Sequence, residues 1–127
     1  MSQYDNRFEA YVDQPKVFFA KIINRETGDV LDPAAVTAIH YSVYPLGIID
    51  GQRKEAVPGH RRVTVPLTTL TAAVESCPVF TPGYNFRYAP DGRTRSLFPR
   101  AGKFEVCFIL TLATGNPILL SYRFTVE

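Results

Sequence analysis

The sequence predicts an all-β protein, an antiparallel β-sandwich of about seven strands with short helical insertions. Three observations carry this. Apolar residues alternate with period two between turn signals along most of the chain, the mark of strands with one buried face. No segment sustains a 3.6-residue period over three turns, which removes the helices that a parallel α/β sheet requires. Ten prolines and eight glycines break up the apolar runs, as turn residues do between short strands.

With 127 residues, 46% of them hydrophobic, the chain is expected to form one domain spanning 1–127 around one core. The net charge of +2 gives little long-range steering toward nucleic acid. "MSQYDNRFEAYVDQPK" at the start lacks a basic region followed by an apolar run, so no signal peptide is expected. No apolar stretch approaches the ~20 residues of a membrane-spanning helix. Two cysteines without an export signal point to a reducing cytoplasm and free thiols.

The elements follow in order. "RFEAYV" (7–12) is a strand candidate, set off by Pro15. "VFFAKIIN" (Val17–Asn24) is a clearer one, ended by the turn chemistry of Thr27, Gly28 and Asp29. Asp32 before Pro33 has the form of a helix N-cap with proline at the first position. A short "PAAV" turn then yields to a strand in which Ile39, Tyr41 and Val43 alternate with His40, Ser42 and Tyr44, stopped by Pro45 and Gly47. "GIIDGQRKEAVPGHRR" reads as loop. "RVTVPL" sets Val63, Val65 and Leu67 on one face, with Pro66 arguing for an edge or a strand end. "TTLTAAVES" has the composition of one or two helical turns, and 78–101 reads as irregular. Phe104, Val106, Phe108, Leu110 and Leu112 then share one strand face. "ATGNP" turns the chain, and Ile118, Leu120, Tyr122, Phe124 and Val126 form the matching face of a hairpin.

Cys107 falls on the opposite face of its strand, between Glu105 and Ile109. A nucleophilic thiol needs an adjacent base and an orienting group. Only His40 and His60 are available, and neither cysteine carries a protease signature, so Cys107 is expected to pack as a small apolar group. The two histidines lack any paired ligand spacing, and no four-ligand zinc motif can be assembled. Nucleophile-elbow, phosphate-loop and dinucleotide strings are absent. Asp29, Asp32, Asp50 and Asp91 each have a role in turn or cap chemistry. No catalytic residue, cofactor or metal site is therefore expected, and the chain is read as a non-enzyme.

Two basic clusters stand out: Arg53, Lys54, Arg61 and Arg62, and then Arg87, Arg93, Arg95, Arg100 and Lys103. The second interleaves with aromatics within 78–100. Long connections of this kind are often functional in compact domains, and large aromatics with arginine favour interfaces. Tyr84, Phe86, Arg87, Tyr88, Arg93, Arg95 and Phe98 are the candidate interaction surface. Tyr84, Phe86 and Tyr88 alternate, so part of the segment adds or covers an edge strand. The competing structural role is a cap over the open end of the sandwich. The alternative function is a small-ligand or nucleic-acid binding module using 84–98, where aromatics stack bases and arginines meet phosphates.

The order of "KVFFAKIINRETGDVLDPAAVTAIHYSVYPL", "RVTVPL" and "AGKFEVCFILTLATGNPILLSYRFTV" resembles the immunoglobulin-like N-terminal domain of phage baseplate upper proteins. The 68–100 insertion is longer than that pattern. Strings such as "GYNFR" and "FPRAG" also resemble those of small bacterial proteins of prophage type. The resemblance implies an immunoglobulin-like sandwich with a structural or adaptor role. That role would be protein–protein assembly, with itself or a protein partner, in the cytoplasm or in a phage-like particle assembled there. It brings no catalytic residues with it.

Overall fold

The computed structural model describes residues 6–13, 17–24, 28–77, 83–89 and 101–126. The expected breaks at Pro15 and Thr27, and the 78–82 and 90–100 parts of the aromatic segment, lie outside them. Among the described residues there are eight strands: β1 (Asn6–Asp13), β2 (Val17–Asn24), β3 (Val36–Pro45), β4 (Val63–Val65), β5 (Leu70–Glu75), β6 (Tyr84–Tyr88), β7 (Gly102–Leu112) and β8 (Ile118–Val126). They form two four-stranded antiparallel sheets, ordered β1-β2-β6-β5 and β4-β3-β7-β8. The chain crosses between sheets after β2, β4 and β6. That order is compatible with an immunoglobulin-type Greek key, A-B-E-D in one sheet and C-F-G extended by one strand in the other.

Alternation builds the core. Phe18, Ala20 and Ile22 of β2 face Phe104, Val106, Phe108 and Leu110 of β7 and Leu120 of β8, all of them at most 1% exposed. Phe108 is the hub, with the rings of Phe18, Phe86 and Tyr122 at 5.4, 5.2 and 5.7 Å in edge-on geometry, the favoured aromatic arrangement. In β3, Val36 and Ile39 are both buried although their spacing breaks strict alternation. A register shift between Val36 and Ala38 opposite β7 inserts the extra residue that resets the pleat. The Tyr122 hydroxyl, buried between the sheets, donates to the Phe19 carbonyl at 2.8 Å and ties β8 to β2. Leu112 is half-buried, and the side chains of Phe124 and Val126 are outside the described set.

Asp32 caps the 3-10 turn Pro33–Ala35, its carboxylate accepting from the Ala34 amide at 2.9 Å. Three expectations are corrected. "TTLTAAVES" is mostly strand: a 3-10 turn at Leu67–Thr69 leads into β5, which brings the strands to eight where about seven are expected. Its Thr and Val side chains suit an edge strand, where pairing with β6 rather than helical periodicity decides the conformation. Leu67 does not continue the inner face of β4, because the strand ends at Val65 and Leu67, 46% exposed, begins the turn. Third, Tyr84–Tyr88 is not an edge. It is β6, an interior strand between β2 and β5.

Candidate interaction surface

The position of β6 divides the expected interaction residues. Phe86 has no exposed surface and packs on Phe108, so it is core and is removed from the candidate surface. Strand alternation turns it inward, between sheets. Tyr88, half-buried, turns the same way, with its ring 5.7 Å from Tyr41 and 5.9 Å from Phe108. Tyr84 and Arg87 instead converge on Phe19: the Tyr84 ring lies 5.1 Å from it, and the Arg87 guanidinium carbon 6.0 Å above it. Arg93, Arg95 and Phe98 lie outside the described residues. Asn85, fully buried, takes over a piece of the sheet ladder. Its side chain accepts from the Ile22 amide at 2.8 Å and donates to the Ile22 carbonyl at 2.9 Å.

The outer face of the β4-β3-β7-β8 sheet holds a cluster that sequence reasoning missed. Register places Glu105 between Tyr44 and Arg123, and Cys107 between Ser42 and Ser121. Alternation assigns Glu105 to an open face, yet it is 2% exposed. One carboxylate oxygen accepts from Arg53 Nε. The other accepts from Ser121 Oγ at 2.7 Å and from Arg123 Nε at 2.8 Å. Burial opposes the charged form of Glu105, but these hydrogen bonds from Ser121, Arg123 and Arg53 outweigh it and hold its carboxyl below the ordinary value. The Arg53 guanidinium also lies 4.6 Å from the Tyr44 ring centroid, close enough for a cation–π contact. Burial pushes the Cys107 thiol up, and a thiol kept protonated is a poor nucleophile. Both cysteines are free.

Arg53 connects this cluster to the most exposed apolar residues of the described chain. Leu46 and Arg53 pair as an isolated bridge, Lys54 N donates to the Pro45 carbonyl at 2.9 Å, and Gly47 N to the Gln52 carbonyl at 2.9 Å. Gly51 closes the turn at φ 66°, a left-handed conformation that suits glycine. Asp50 Oδ1 accepts from the Gln52 amide at 3.0 Å. A Cβ on Gly47 would sit 2.1 Å from that carboxylate oxygen, so a side chain there would push the Asp50 carboxylate from its place. At the tip of this braced loop Ile48 and Ile49 are 94% and 100% exposed.

The chain from 54 to 62 returns along the sheet edge. Val57 and His60 anchor it: both are 3% exposed, Val57 N donates to the Val43 carbonyl, and Val43 N to the His60 carbonyl. His60, expected only as a loop residue, stacks on Tyr41 and shares a 2.8 Å hydrogen bond with its hydroxyl through Nδ1. Burial, and then the neighbouring Tyr88, push the Tyr41 pKa up to about 12. Beside the loop lies an open groove of about 530 Å³ lined by Pro45, Lys54, Glu55, Ala56, Val57, Pro58, Gly59 and Arg61. The first basic cluster is thus divided. Arg53 is spent on Glu105, Lys54 lies 3.6 Å from Asp50, Arg61 is exposed on the groove wall, and Arg62 is exposed beyond it.

The sequence did carry a signal for the tip: "GIIDG" sets two isoleucines where turn chemistry calls for polar residues. It carried none for Glu105, whose partners are 52, 16 and 18 positions away. Among the described residues, no group of three or more His, Cys, Asp or Glu is placed to hold a metal ion, and no helix is long and apolar enough to cross a membrane. Comparison with family models, curated proteins and solved structures finds no match.

Proposed function

We propose that this chain is a non-enzymatic β-sandwich that acts as a structural or adaptor module through protein–protein contact. Its setting is a phage-like particle, as the strand-order resemblance implies. The observation that carries this is the Ile48–Ile49 pair, almost wholly exposed on a loop whose base is hydrogen-bonded and clamped through Arg53 to a buried carboxylate. Exposed apolar residues are common singly, but a pair raised on an ordered turn is a surface that association would cover. Order matters because a preformed loop loses less conformational freedom when it docks.

The chemistry near the loop supports a binding role over a catalytic one. The carboxylate of Glu105 is saturated by three donors, and the neighbouring Cys107 thiol is buried and protonated. The test is the size of the tagged chain in a lysate of its source, read by size-exclusion chromatography. Wild type is expected in a complex larger than the monomer. Ile48→Ser/Ile49→Ser is expected at the monomer position with an unchanged melting temperature, since these side chains are almost wholly exposed. Both proteins eluting as monomers would overturn the proposal.

A further inference from the structure

Two features of the 46–62 loop are complementary to each other, and neither is filled within one chain. One is the Ile48–Ile49 tip. The other is the open groove beside it, about 530 Å³, with Pro45, Ala56, Val57 and Pro58 in its apolar wall and Lys54, Glu55 and Arg61 as its charged residues. The free chain does not place its own tip there, as the exposure of both isoleucines shows. We propose that two copies of the chain associate by reciprocal exchange, the tip of each entering the groove of the other about a two-fold axis. The proposal rests on the assembly function above and names the partner as a second copy.

Self-complementarity of one surface patch is what a two-fold dimer requires, and here donor and acceptor lie on one loop. Charge agrees with the pairing. Asp50 follows the isoleucines at the tip, and Lys54, its nearest cation, is 3.6 Å away with both side chains about half exposed, a contact of little strength in water. Arg61 stands exposed on the groove wall and has no ion-pair partner among the described residues. In the dimer Asp50 of one copy meets Arg61 of the other. The same aspartate argues against a lipid surface as the occupant. A carboxylate beside the inserting side chains is repelled by anionic headgroups and costly to bury.

The contact is small, so its dissociation constant is expected to be weaker than ~1 µM. The experiment is sedimentation velocity on the purified chain from about 10 µM to about 1 mM, a range spanning weak association. Wild type is expected to pass from monomer to dimer. Ile48→Asp/Ile49→Asp, which spoils the tip, and Ala56→Trp, which fills the groove, are each expected to stay monomeric. Mixed in equal amounts, the two variants have one intact tip and one intact groove. They are expected to form a 1:1 dimer of lower affinity than wild type. Ala56→Ser leaves the groove open and is expected to dimerise, which separates filling from misfolding.

A wild type monomeric at about 1 mM, a dimer that survives in the tip variant, or a variant mixture that stays monomeric each overturns the proposal. So does pelleting of wild type, but not the tip variant, with phosphatidylserine vesicles while no dimer forms, which would assign the tip to a membrane surface. A monomeric wild type that still enters a large complex in the lysate removes the second copy as partner and leaves assembly standing. Monomer in both experiments removes both.

Discussion

Glu105 gives the sharpest energetic test, because the burial in its ion cluster is unequal. The carboxylate is 3% exposed as a side chain, whereas Arg53 and Arg123 are 46% and 63% exposed. Deleting the arginines therefore removes two donors and part of the cover over a carboxylate on the outer sheet face, while deleting the carboxylate releases two guanidinium groups that already touch solvent. Arg53→Ala/Arg123→Ala leaves Glu105 with the Ser121 hydroxyl and the water that the truncation admits, and is expected to cost ~2–3 kcal/mol, the loss of two hydrogen bonds to a charged group offset in part by hydration. Glu105→Met, similar in volume and apolar, is expected to cost no more than ~1 kcal/mol, since buried ion pairs replaced by well-packed apolar groups are often neutral. Urea unfolding followed by circular dichroism reads both without screening the charges. The pH dependence supplies a second readout. The folded carboxyl is held below its ordinary value, so its stabilisation is present above the ordinary carboxylate pKa. It is lost as pH falls through the folded pKa. Wild type should weaken on the acid side and Glu105→Met should lack that part of the slope. Glu105→Met destabilising as much as the double arginine variant would refute the reasoning.

Phe108→Ala removes the ring that Phe18, Phe86 and Tyr122 surround and should cost ~3–5 kcal/mol in the same urea assay; a cost below ~1 kcal/mol would mean the ring faces water. In thiol titration without reductant, half-buried Cys77 should react in the native protein, and buried Cys107 only after denaturation, for a total of two free groups. Alkaline titration at 295 nm should leave Tyr41 and Tyr122 un-ionised through the ordinary tyrosine range, because burial raises both. Their contribution to stability is complete below pH ~10 and is lost as pH rises through the folded values. All seven tyrosines ionising together near pH 10 would contradict the buried placement.

The parts of the fold legible in the sequence are those where alternation is long and the turn short. β7 and β8 show this best: nine consecutive register pairs follow from one apolar face on each strand. β5 was not legible. Thr71, Ala72, Ala73 and Val74 show no alternating burial, and their conformation comes from pairing with β6, a neighbour that composition does not reveal. Burial on the outer face was equally hidden. Period-two logic sends Glu105 and Cys107 toward solvent, and only the folded loop brings Arg53 back over them. His60 became a buried partner of Tyr41 by the same route, through backbone bonds that return the 54–62 chain to the edge of β3.

The most direct test of a tip that works by contact is a photo-reactive p-benzoyl-phenylalanine at position 48, introduced in cells of the source and irradiated there. Ile48 is 94% exposed, so an adduct to another polypeptide reports what covers it. One defined protein adduct, a second copy of this chain or another polypeptide, is expected, with none from the same label at exposed Thr64 on β4. No adduct at position 48, or the same diffuse adducts at both positions, would contradict the account.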